Sequence, residues 1–87
     1  MTTLSIQNQI IDFLRSVTGQ QSLDAGTDLF DAGATDSLTM MDLLVFLETE
    51  FQVRLAFIDL NPEVFKTPAT LAELIATRMT AQHTKAA

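Results

Sequence analysis

The chain has no cysteine and a single histidine, His83, among 87 residues. The missing thiols exclude disulfides, thiolate metal sites and a cysteine nucleophile, and they permit an intracellular setting. Basic residues are also scarce. Five Lys and Arg against eleven Asp and Glu give a net charge of −6, with no basic stripe to meet a phosphate backbone, so nucleic acid is not an expected partner. An acidic surface instead favours partners with basic docking faces. Long apolar runs are missing too. Residues 43–47 form the longest, far short of a membrane span. The amino-terminal Met-Thr-Thr-Leu-Ser has neither a basic start nor an apolar stretch, so no signal peptide is expected. A phosphate-binding glycine loop, internal repeats and low-complexity blocks are absent as well.

What is present fits one small domain. Hydrophobic residues make up 47% of the chain, too many for a disordered segment. A chain of this length buries only about 60% of its unfolded surface, which leaves little room for an enclosed active site. The expected domain covers 1–80, followed by a flexible tail over 81–87.

Hydrophobic spacing predicts a helix over 3–18. Ile6, Ile10, Phe13, Leu14 and Val17 share one face, Thr2, Thr3 or Ser5 can cap its start, and Gly19 ends it. A long polar connection follows over 19–36, with Leu23, Leu29 and Phe30 as its anchors and a turn of helix possible over 28–32. Loops of this length are uncommon in compact domains and are often functional. A second helix is predicted over 37–51, with Asp36 or Ser37 as its cap. At 100° per residue, Met40, Leu43, Leu44, Leu47 and Phe51 gather on a core face. Leu38, Met41, Asp42, Val45, Glu48 and Thr49 gather on the other, which is more apolar than solubility requires and suggests either a docking surface or cover by a loop. Residues 51–57 alternate like a strand, but with no second strand to pair they predict an extended connector. Asn61-Pro62-Glu63 starts a short helix with Val64 and Phe65 as anchors. Thr67-Pro68 starts the last one, over about 68–80, buried through Leu71, Leu74, Ile75 and Met79.

Ser37 is the one serine at a predicted helix start beside a long loop. It either caps the helix, which position alone favours, or carries a modification. A phosphate ester there would meet free backbone amides and the positive end of the helix dipole. Catalysis by the chain itself is not expected. His83 lies in the predicted tail, leaving a Ser-His-carboxylate triad without a base, and no cleft is implied in which paired carboxylates would be tuned. Asp24, Asp28, Asp31, Asp36 and Asp42 do not make a calcium loop. Numbered from Asp31, Asp36 falls where the turn glycine belongs and Asp42 where a bidentate Glu is required.

The chain resembles the acyl carrier protein superfamily over residues 4–80. The resemblance rests on Leu29-Phe30 and Gly33 leading to Asp36-Ser37-Leu38, on Leu47-Glu48-Thr49-Glu50-Phe51, on the short helix before Phe65, and on the run from Thr67-Pro68 to Leu74-Ile75. It implies an all-α four-helix bundle with a short third helix and a long loop between the first two. It also implies that Ser37, preceded by the acidic Asp36, receives a covalent 4′-phosphopantetheine from coenzyme A through a phosphopantetheinyl transferase. The arm's thiol would carry an aminoacyl or acyl thioester. Leu38, Met41, Asp42, Val45 and Glu48 match the positions that partner enzymes read.

Fatty-acid carriers usually have one residue between the loop glycine and Asp-Ser. Here two intervene, Ala34 and Thr35, and Thr49 stands at an often acidic position. With residues 57–68, this pattern is more similar to D-alanine carrier proteins and stand-alone aminoacyl carriers that serve adenylating enzymes. The implied protein is a discrete, monomeric, non-catalytic cytoplasmic carrier. It would be loaded by an adenylating enzyme or an acyltransferase and serve downstream biosynthetic enzymes of nonribosomal peptide or polyketide type. A polyketide or fatty-acid carrier with purely acyl cargo is the alternative within the family. An unmodified helical interaction module is the alternative outside it.

Overall fold

The computed structural model describes residues 2–31, 37–55 and 63–83, with backbone alone at Ser37, Gln82 and His83. Three helices make up the regular structure of these residues: α1 (Thr3–Thr18), α2 (Ser37–Phe51) and α3 (Pro68–His83). No described residue is in a strand. The fold of the described residues is all-α, as expected.

Helix α1 begins where a side-chain acceptor is available. Thr2 is extended, and its hydroxyl accepts from the Ser5 amide at 3.1 Å, satisfying one of the donors that a helix start leaves open. At the other end Gly19 adopts φ 73° and its amide donates to the Arg15 carbonyl at 2.9 Å. The left-handed conformation at this position is what glycine supplies without strain. Ile6, Ile10 and Leu14 are fully buried, as their spacing predicts. Two positions differ. Ile11 is buried as well, because α1 packs against both α3 and α2. Val17 is 40% exposed, since α1 and α2 enclose an open groove beside its last turn.

Leu43, Leu47 and Phe51 bury the inner face of α2, with Met40 and Leu44 packed at the margin. The helix stops at Gln52, which takes φ 53°. Val53 then turns back into the core, and the Glu48 carboxylate accepts from the Leu55 amide at 3.0 Å. This segment is the expected connector rather than a strand. Residues 56–62 lie outside the described residues, so the proposed Asn61-Pro62 helix start does too. Residues 63–65 form a turn, with Phe65 buried and Val64 half-buried.

Helix α3 opens with a reciprocal cap. The Thr67 hydroxyl accepts from the Thr70 amide and the Thr70 hydroxyl accepts from the Thr67 amide, both at 3.2 Å. The Thr70 hydroxyl also lies 2.6 Å from the Val64 carbonyl, to which its proton can go. Pro68 fills the first helical position, where its missing N–H costs nothing, and it is buried. Leu71, Ala72 and Ile75 form the inner face, while Leu74 and Met79 are half-buried. The helix runs through His83, past the expected end near 80. No glycine or proline interrupts residues 81–83, so nothing local stops it there.

Among the described residues no buried side-chain polar atom lacks a hydrogen-bond partner. None of the helices is long and apolar enough to cross a membrane.

The two left-handed caps make opposite predictions. No atom lies within 4 Å of a Cβ added at Gly19, so Gly19→Ala should cost about 1 kcal/mol through backbone conformation alone. Gln52→Gly should be neutral or stabilising by up to about 1 kcal/mol. Urea unfolding midpoints measure both, and an unshifted midpoint for Gly19→Ala contradicts the assignment.

Candidate functional site

The segment leading to α2 is held at several points before it reaches Ser37. The Arg15 guanidinium Nε donates to the Leu23 carbonyl at 2.9 Å, tying the loop to the end of α1. Asp24 organises the next turn. Its Oδ1 accepts from the Gly26 amide and the Thr27 hydroxyl, each at 3.0 Å, and its own amide donates to Thr27 Oγ1 at 2.8 Å. The loop then meets the start of α3. The Leu29 amide donates to the Lys66 carbonyl at 2.7 Å and the Ala69 amide to the Ala25 carbonyl at 3.2 Å. Leu23 and Leu29 are buried anchors, as expected.

Phe30 is not an anchor. It is 45% exposed, because Asp28 Oδ1 accepts from both the Phe30 amide at 2.9 Å and the Asp31 amide at 3.2 Å. That turn directs Leu29 inward and leaves its neighbour outside. Asp24 and Asp28 thus act as turn-forming carboxylates. Among the described residues no three acidic or histidine side chains gather to hold a metal.

Ser37 is the first residue of α2. Asp36 and the Ser37 side chain lie outside the described residues. A helix start presents backbone amides and the positive end of its dipole, and the first turn of α2 contains no acidic side chain to compete for them. Beyond it, the outer face of α2 is open. Leu38 is 78% exposed and Met41 and Val45 are each 59% exposed, with Asp42, Glu48 and Thr49 exposed among them. Residues 38–48 span about 15 Å of helix at 1.5 Å per residue. Five residues named from the sequence therefore share one accessible stripe, although Glu48 also tethers the connector through Leu55.

A groove that the sequence did not imply lies beside this stripe, between α1 and α2. Phe46 is central to it, and the 100° wheel put Phe46 on neither face. Phe13 and Phe46 stack with ring centroids 4.3 Å apart and planes 12° apart, and Phe46 meets Phe51 edge-on at 5.9 Å. A cross-helix aromatic pair has no signature in the periodicity of either helix alone.

Comparison with known proteins fits this geometry. Residues 8–76 match the family model described as a phosphopantetheine attachment site. A D-alanyl carrier protein of Lactobacillus delbrueckii subsp. bulgaricus is 30% identical over 73 residues, covering 83% of this chain and 91% of that protein. The D-alanyl carrier protein of Enterococcus faecalis is 28% identical over 74 residues, covering 83% and 95%. Aminoacyl carrier protein 2 of Bradyrhizobium diazoefficiens is 28% identical over 78 residues, covering 85% and 86%. The chain belongs to the phosphopantetheine-attachment family, as a carrier protein of the acyl and peptidyl carrier superfamily similar to D-alanyl carrier proteins. Its prosthetic group is a covalently attached 4′-phosphopantetheine. A helix start free of acidic side chains within its first turn, bordered by the exposed Leu38, suits a phosphodiester and an arm that must reach outward.

Asp28→Ala removes the acceptor for two loop amides. Hydrogen exchange at the Phe30 and Asp31 amides should accelerate, with a stability loss of about 0.5–1.5 kcal/mol. Unchanged exchange at both amides argues against the turn.

Proposed function

We propose that Ser37 is the attachment residue, with Asp36 beside it, and that the chain carries an aminoacyl group between enzymes as a thioester. The observation that carries this reading is the coincidence of Ser37 with the first residue of α2, inside the segment that matches the attachment family. The bound arm supplies the thiol that a cysteine-free chain lacks. The chain's own residues do the remaining work. Ser37 provides the hydroxyl oxygen of the phosphodiester. The start of α2 favours the phosphate's negative charge. Leu38, Met41, Asp42, Val45 and Glu48 are the surface that partner enzymes read, and their exposure supports that role. The chain performs no catalysis; a phosphopantetheinyl transferase installs the arm and a separate enzyme loads it.

The names of the D-alanyl and aminoacyl relatives support an amino acid as cargo, activated by an adenylating enzyme, and make D-alanine the first candidate. We assign the carrier to the cytoplasm, as a monomer in a biosynthetic route of nonribosomal peptide or polyketide type. The exposed apolar residues of α2 would also serve an interaction module that is never modified, so the two must be separated by experiment.

Incubation with coenzyme A and a promiscuous phosphopantetheinyl transferase should add one phosphopantetheine to the wild-type chain, read by intact mass, and none to Ser37→Ala. Addition that survives the substitution removes Ser37 from its role. No addition with several transferases favours the unmodified module. The modified chain should then accept an amino acid from one of a panel of adenylating enzymes, D-alanine included. Charging only by malonyl or fatty acyl transferases would instead assign an acyl cargo. Met41→Glu, at an exposed position, should leave stability within about 0.5 kcal/mol while weakening partner-dependent steps.

A further inference from the structure

The Phe13–Phe46 stack lies at the edge of the core, where both rings are half-buried. Between α1 and α2 an open groove of about 370 Å³ has these rings, Val17 and Val45 in its lining, and the exposed carboxylates of Asp42 and Glu50 border it. Among the described residues no basic side chain lines it. An aromatic surface with aliphatic walls and an acidic border is shaped for an apolar side chain next to a cation. Interfaces place their strongest anchors in such pockets, and charge complementarity selects the partner.

We propose that this groove receives an apolar anchor side chain flanked by Lys or Arg on the adenylating enzyme that loads the arm, and that the phosphopantetheinyl transferase does not use it. The inference rests on the carrier function proposed above. The groove shares Asp42 and Val45 with the exposed stripe of α2, so one partner surface can span both. Position favours the loading enzyme over the transferase: the α2 wall runs from residue 42 to residue 50, about 7 to 20 Å along the axis beyond Ser37 at 1.5 Å per residue. A transferase must bring its chemistry to the Ser37 hydroxyl at the helix start. A loading enzyme acts at the far end of the arm, so its body can rest on these later turns. Val17 then gives α1 a part in recognition that the outer face of α2 does not have.

The test uses the full-length chain with Val17→Lys and Glu50→Lys, one substitution on each wall and both at exposed positions. Phosphopantetheinylation rates and thermal midpoints should stay close to wild type. Charging of the modified chain by the adenylating enzyme that loads wild type should lose about tenfold in kcat/KM, the scale of an anchor-site change. Val17→Leu, which keeps the wall apolar, should charge normally. Wild-type charging in both lysine variants overturns the groove assignment alone and leaves the carrier function standing. Equal losses in modification and charging overturn the claimed selectivity. A concentration-dependent wild-type dimer that Val17→Lys abolishes would make a second copy the occupant and also overturn it. If no adenylating enzyme charges wild type, the aminoacyl function fails first and the groove inference falls with it.

Discussion

The hydrogen bond from the Leu29 amide to the Lys66 carbonyl, at 2.7 Å, is the constraint that fixes the loop after α1 against the segment that opens α3. It joins the connection after α1 to the residues just before α3, while the Leu29 side chain is buried beneath it. The Ala69 amide repeats the link in the opposite direction through the Ala25 carbonyl. A connection of this length has considerable conformational entropy to lose, and two backbone bonds, one of them from the buried Leu29, remove much of it at one place. Arg15 and Asp24 then fix the stretch between α1 and that junction. The result is a loop whose early part belongs to the core, ahead of the serine that opens α2.

Strong local chemistry made much of this legible from the sequence. Thr2 and Gly19 mark the ends of α1 with side-chain and backbone caps, and the observed helix has the expected limits. The inner face of α2 follows from its periodicity, because Leu43, Leu47 and Phe51 face a single core. Thr67-Pro68 marks the start of α3 for the same kind of reason. The misses occur where a neighbour decides the outcome. Ile11 and Ala72 are buried by helices packing on more than one side. Phe30 is turned outward by the two amides that Asp28 accepts. The groove depends on how far apart α1 and α2 stand, which neither helix's own pattern encodes.

The proposed attachment site shows the same division. Position alone favoured Ser37 as a simple cap, and only the ordered set of motifs around it pointed to a modified hydroxyl. The match over residues 8–76 and the D-alanyl relatives bear out that resemblance at the level of the family and its prosthetic group. Physical reasoning adds the character of the surface beside Ser37. Leu38, Met41 and Val45 stay open to solvent although α2 also contributes a full set of core residues. Apolar residues in excess of what the core consumes are a cost to solubility, and their exposure supports the docking role proposed for this face.

The aromatic stack between α1 and α2 also has an optical consequence. With neither tryptophan nor tyrosine in the chain, Phe13, Phe46 and Phe51 are three of its six phenylalanines, clustered within a few ångströms of one another. The protein is almost transparent at the wavelengths where tryptophan absorbs and emits. Tryptophan emission from a complex therefore comes wholly from the partner enzyme. In the isolated chain the weak, fine-structured phenylalanine bands are free of tryptophan and tyrosine absorption and come from its six phenylalanines, the three of the cluster among them.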